Sequence, residues 1–198
     1  MSGDEQRAKP PEFGAVFRQQ FAELVAWRRD VRRFREDPVD PDLVDDLIRL
    51  ACLSPSVGNA QPWRFVLVET GAVRASVRHS FAVANSDALH DYEGEKARLY
   101  TTLKLSGLDK APVQIAVFCE TEPEEGAGLG RKTMPLSLQH SVAGAIQTFW
   151  LAARSHGIGV GMVSIIDPQE VTQAMDVPES WDLVAYLCVG YPEEEHID

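Results

Sequence analysis

The chain has 198 residues, the length of one domain, with 44% hydrophobic and 25% charged residues, a balance that excludes a disordered, collagen-like or disulfide-scaffold protein. Its 19 Lys and Arg against 30 Asp and Glu leave a net charge of −11. A surface that acidic repels phosphate backbones and anionic lipid heads, so no nucleic acid and no membrane is expected as a partner, and any anionic ligand must be held locally.

The three cysteines, Cys52, Cys119 and Cys188, are far apart and each lies in an apolar stretch. That pattern fits free thiols in a reducing, cytoplasmic setting. Residues 1–12, polar and ending near Pro10 and Pro11, read as a flexible leader without the apolar core of a secretory signal. Residues 13–198 then form a single domain. Val16, Phe17, Phe21, Leu24 and Val25 recur at helical spacing and predict a helix over Phe13 to Arg28. Asp40 before Pro41 is an N-cap for a second helix whose apolar stripe is Leu43, Val44, Leu47, Ile48 and Ala51.

Ser54-Pro-Ser-Val-Gly-Asn-Ala-Gln-Pro-Trp63 is an ordered turn feeding a strand over Phe65 to Val68. Gly71 to Ala84 reads as a helix and Val113 to Cys119 as a strand. Ser137 to His156 is a long helix with Leu138, Ser141, Val142, Ala145, Ile146, Phe149, Trp150 and Ala153 on one wide stripe. Val160 to Ile166 is a third strand, Pro168 opens a short helix, and Leu183 to Val189 is a fourth strand. The order is α+β, without the regular βαβ alternation of a doubly wound sheet.

The sharpest local anomaly is Arg28-Arg-Asp-Val-Arg-Arg-Phe-Arg35, which puts five of the 19 basic residues into eight positions of an acidic chain. A charge run is ordinarily a solvated face. Here Val31 and Phe34 can pack inward while Arg28, Arg29 and Arg32 converge on an anion such as a phosphate, which Arg grips bidentately. Asp30, embedded among these cations, is either a structural ion-pair partner or a working base. From the residues alone the structural role is favoured.

The turn around Ser56 and Asn59 is a plain connector or one wall of a ligand pocket. Gly157, Gly159 and Gly161 alternate along a predicted strand and bare one face; either a ligand approaches there or the strand packs tightly on the long helix. Ser164 follows, where its hydroxyl could meet such a ligand. The five histidines lack metal-ligand spacing, so no metal is expected. Gly126-Ala-Gly-Leu-Gly130 is no dinucleotide fingerprint.

Taken in this order, the Arg-Arg-x-x-Arg-x-Phe head, the Ser-Pro-Ser-x-x-Asn-x-Gln-Pro-Trp turn and the late glycine-rich strand resemble the nitroreductase superfamily of flavoenzymes. Asp30 stands where most members carry Ser. That aspartate, with Pro55-Ser-Val-Gly58, Leu103-Lys-Leu105, Leu129-Gly-Arg131, Trp150-Leu-Ala-Ala-Arg154 and Val163-Ser-Ile165, is similar to the branch that makes 5,6-dimethylbenzimidazole, the lower ligand of vitamin B12. The resemblance implies a mostly antiparallel central sheet flanked by helices, in a homodimer with flavin at its interface and the long helix in that interface.

It further implies oxygen-dependent fragmentation of reduced FMN to dimethylbenzimidazole and erythrose 4-phosphate. FMNH2 and O2 are then substrates, the former supplied by a separate flavin reductase. Asp30 and Ser164 carry over as catalytic residues, Asp30 as acid/base. Arg28, Arg29 and Arg32 carry over at the phosphate and ribityl end, and Ser56, Asn59, Lys104 and Val163 at the ring and ribityl chain. The segment Arg131 to Pro135 resembles a lid that keeps bulk water out. Two features depart from the branch: Met162 where members have Trp, and an acidic stretch after the last strand where members have a basic, Trp-containing tail. Two other activities remain open, an NAD(P)H-dependent FMN nitroreductase and a non-catalytic flavin-binding protein.

Overall fold

The computed structural model describes residues 9–90 and 106–194. Most of the expected leader, and Lys104, lie outside the described residues. Elements are numbered among those described. Helix α1 spans Ala15–Trp27 and α2 Pro41–Ala51, where Asp40 Oδ1 accepts the N–H of Asp42 at 3.0 Å. Strand β1 is Trp63–Leu67, α3 is Gly71–His90, α4 is Ser106–Lys110 and β2 is Val113–Glu120. Helix α5 is Ser137–Ser155, β3 is Gly159–Val163, α6 is Pro168–Met175 and β4 is Trp181–Gly190.

The four strands form one antiparallel sheet in the order β1-β2-β4-β3. Antiparallel sheets often leave one face to water, but here both are covered, which is why β2 and the end of β4 are nearly continuous apolar runs. Ile115, Val117 and Cys119 of β2 face α2 and α5, together with Leu47, Val142 and Phe149. Ala116 and Phe118 face the other way, toward Val77 of α3, Leu108 of α4 and Val171 of α6. The buried side of α5 consists of the eight residues of the sequence stripe, from Leu138 to Ala153. In the second layer Tyr186 Oη donates to Gln114 Oε1 at 2.6 Å, and Gln114 Nε2 donates to Leu108 O at 3.0 Å, so this buried polar pair is satisfied.

The structure adds the short helix α4 and starts β1 and β4 two residues earlier than the sequence reading, and it departs from that reading in three further places. Helix α3 runs past Ala84 to His90. Strand β3 stops at Val163 rather than Ile166. Gly157 is not a strand residue: it lies beyond the end of α5 at φ +72°, in the left-handed region that suits glycine after a helix. Helix α1 forms as expected, but none of its residues is buried, and Phe13, Phe17 and Phe21 line up with about half of each ring exposed.

Cys119 and Cys188 are buried free thiols, and burial pushes them up from 9.0 to about 11 and about 12. A raised thiol contributes stability below its unfolded value and loses that contribution as the pH climbs through the folded one. The urea midpoint is therefore expected to hold up to pH 9 and to fall between pH 9 and pH 12. A Cys119→Ala, Cys188→Ala variant should fall less steeply over that range; equal slopes would contradict the assignment.

Candidate functional site

The arginine-rich segment is not a helix, and its Arg32, Arg33 and Arg35 side chains are exposed. After α1 it runs extended along the open edge of β3, as an arm held at both ends. Asp30 bridges Val160 in parallel, and Val31 N donates to Val160 O at 3.0 Å. Four residues on, Phe34 bridges Pro192 antiparallel, Arg35 N donates to Tyr191 O at 2.8 Å and Glu193 N to Arg33 O at 3.1 Å. At the start of the arm, Trp150 of α5 donates its indole N–H to Arg29 O at 3.0 Å, and the Arg28 guanidinium lies 5.3 Å from the Trp150 ring centre.

Two apolar residues seat the arm. Phe34 is fully buried in the second core, which is worth roughly 2–3 kcal/mol for a side chain of that size. Val31 covers the glycine face of β3. A Cβ on Gly159 would come within 2.8 Å of Val31 Cγ2, and one on Gly161 within 2.0 Å of Val31 O. The bare face is therefore filled by the arm, and neither by a ligand nor by the long helix.

This seating fixes Asp30. Its Oδ1 accepts the N–H of Met162 at 2.9 Å, capping an edge-strand donor, and its Oδ2 lies 3.7 Å from Arg32 Nε. The second distance is outside hydrogen-bond range, so the cation attracts that oxygen without holding its lone pairs. The carboxylate is thus oriented by a backbone group and remains partly exposed.

A cleft of about 240 Å³ opens along the arm. Arg28, Arg29, Asp30 and Arg32, all singled out from sequence, line it together. So do Arg33, Trp150, Arg154 and Glu194, which sequence reasoning did not single out as site residues. For Arg154 the available signal was its place in the last turn of α5, four residues after Trp150. A recess just large enough for one water lies on the other side of Asp30, lined also by Met162, Val163 and Cys188. Val163 points its side chain into the core, leaving its backbone to face the site. Ser164 is exposed one residue beyond the end of β3.

Ser56 and Asn59 do not join this cluster. Their turn packs at the other end of α5: Val57 N donates to Ser141 Oγ at 3.1 Å, and Ser56 Oγ accepts from Gln61 N at 3.0 Å. Asn59 adopts φ +58°, a left-handed conformation that Asn tolerates better than most residues. The expected lid residues Arg131 to Pro135 form exposed turns, with Arg131 Nη1 donating to Pro123 O at 3.4 Å. Among the described residues no group of three His, Cys, Asp or Glu is placed to hold a metal ion, and no helix is long and apolar enough to cross a membrane.

Comparisons with known proteins identify the family. The 5,6-dimethylbenzimidazole synthase of Rhodospirillum rubrum is 51% identical over 186 residues, spanning 94% of this chain and 88% of its own. The protein of the same name from Rhodobacter capsulatus is 49% identical, spanning 91% and 87%. The crystal structure of oxidized iodotyrosine deiodinase bound to FMN and 3-iodo-L-tyrosine superposes with a TM-score of 0.75 at 26% identity, covering 89% of this chain and 91% of the other. The model of the Nitroreductase family matches residues 25–191, from the end of α1 through the residue after β4. By that match and these relatives, the chain belongs to the nitroreductase family.

Proposed function

We propose that this protein is a flavin-dependent oxidoreductase that fragments reduced FMN with O2 to 5,6-dimethylbenzimidazole and erythrose 4-phosphate. The observation that carries this reading is the Asp30 carboxylate, fixed by Met162 N–H on the wall of an arginine-lined cleft, in a chain 51% identical to a protein named for that synthesis. Reduced FMN supplies both the electrons and the carbon skeletons of these two products, and the rest of its pyrimidine ring leaves as a separate fragment.

The residues fit such a ligand at its anionic end. Arg28, Arg29 and Arg32 offer fork donors to the phosphate and ribityl oxygens, in a cleft that is local and basic although the chain as a whole is acidic. At about 240 Å³ the cleft is smaller than the ~300–1,000 Å³ usual for a whole small-molecule site. The ring must therefore extend beyond it, past Asp30 toward the backbone of Val163 and the hydroxyl of Ser164. Asp30 Oδ2, which lies 3.7 Å from Arg32 Nε, takes and returns a proton there. Ser164 supplies a second polar contact at the ring.

A second copy of the chain completes the site. The Ser56 and Asn59 turn is tied to Ser141 and the arginine arm to Trp150, about 14 Å apart along α5 at 1.5 Å per residue. One chain thus offers its two sets of ligand groups at separate ends of one helix. A partner would bring the complementary set, and would cover the exposed Phe13, Phe17 and Phe21 row. Ser56, Asn59 and Lys104 then contact the ring and ribityl chain, the segment Arg131 to Pro135 closes over the site, and a separate reductase supplies FMNH2.

Protein mixed with FMNH2 and air should yield dimethylbenzimidazole, identified by mass spectrometry; unchanged flavin, or rapid NADPH oxidation with flavin recycling, would refute the reading. Asp30→Asn keeps an oxygen for the Met162 N–H, so FMN binding and thermal stability should hold while product formation falls by about 10² to 10⁴. Normal product from that variant would remove Asp30 from the mechanism. Ser164→Gly should lower yield without changing FMN affinity or unfolding the protein, and a wild-type yield would show the hydroxyl to be incidental.

A further inference from the structure

Glu194 is out of place. It lines the same cleft as Arg28, Arg29, Arg32, Arg33 and Arg154, where an anionic ligand end would have to sit. Its position is set by the backbone. The pairing of Arg35 N with Tyr191 O and of Glu193 N with Arg33 O holds the segment after β4 antiparallel to the arm. In an extended segment successive side chains point to opposite sides. Glu193 accordingly turns away, to Lys110 Nζ at 3.1 Å, while Glu194 Oε1 accepts from Arg33 Nη1 at 2.9 Å.

We infer that Glu194 is a built-in counter-anion that competes with the ligand's phosphate for Arg33 and so sets how loosely the cleft holds phosphate esters. The identity of the ligand rests on the function proposed above; the competition rests on the Arg33–Glu194 pair. The two side chains keep 61% and 42% of their exposure. The contact is therefore a weak surface ion pair that a dianion can displace. A phosphate arriving at Arg33 meets the Glu194 charge, is held less tightly than five arginines alone would hold it, and leaves more readily. That would favour release of a phosphate-bearing product. Arg33 and Glu194 are thus specificity-determining residues outside the catalytic pair.

The test is equilibrium binding of FMN and of riboflavin, which lacks the phosphate, followed by flavin fluorescence at low salt. Glu194→Gln should bind FMN about threefold more tightly, the size expected for removing one exposed charge near a dianion, and riboflavin no more tightly. The gain should shrink in high salt, and should vanish in an Arg33→Gln background. Glu170→Gln, a remote charge control on α6, should change neither affinity. Unchanged FMN affinity in Glu194→Gln, an equal gain for riboflavin, or an equal gain in Glu170→Gln would overturn the inference while leaving the flavin reading intact. Failure of both forms to bind FMN would overturn the flavin reading and this inference with it.

Discussion

The contact of Val31 with the glycine face of β3 is the constraint on which the site depends. An extended chain beside an edge strand is ordinarily a weak association. This one becomes specific because Gly159 and Gly161 have no Cβ to keep Val31 away, and because Phe34 is fully buried three residues later. With the arm at that depth, the Asp30 carboxylate reaches Met162 N–H, and Arg28, Arg29, Arg32 and Arg33 take up one wall of a single cleft. The position of the carboxylate is thus a packing result first and an electrostatic one second.

Much of this was legible in the sequence where the signal is periodic. The eight-residue stripe of α5 and the Asp40 cap of α2 appear where the pattern puts them. The inward turn of Val31 and Phe34 could likewise be read from two apolar residues among cations. What covers the glycines could not. A bare strand face shows that something approaches closely, and nothing local distinguishes a ligand, a helix or a distant segment of the same chain. Gly157 misled for a related reason: helix-terminating and strand glycines look alike when they alternate in one run. Arg154 and Glu194 enter the cleft from more than a hundred residues away in sequence, a separation that spacing rules do not bridge.

The exposed row on α1 and the split between the arm and the Ser56 turn belong to one physical picture. A helix with the pattern of a buried element and no buried residue has its covering surface elsewhere. On the proposed reading, the cleft is likewise too small for a whole flavin and takes its remaining wall from elsewhere. In the function proposed above, a second copy of the chain would supply both, and would let a strongly acidic protein concentrate basic groups where an anion must be held.

The central claim is that arm seating, through Val31 against the glycine face, creates the binding site. A double-mutant cycle with Gly159→Ala and Val31→Ala, read out as FMN affinity, tests it most directly. Gly159→Ala should weaken binding by pushing Val31 out, since its Cβ would fall 2.8 Å from Val31 Cγ2, and Val31→Ala, which removes that atom, should restore much of the loss. Additive losses in the double variant would show that the arm is not seated by this contact.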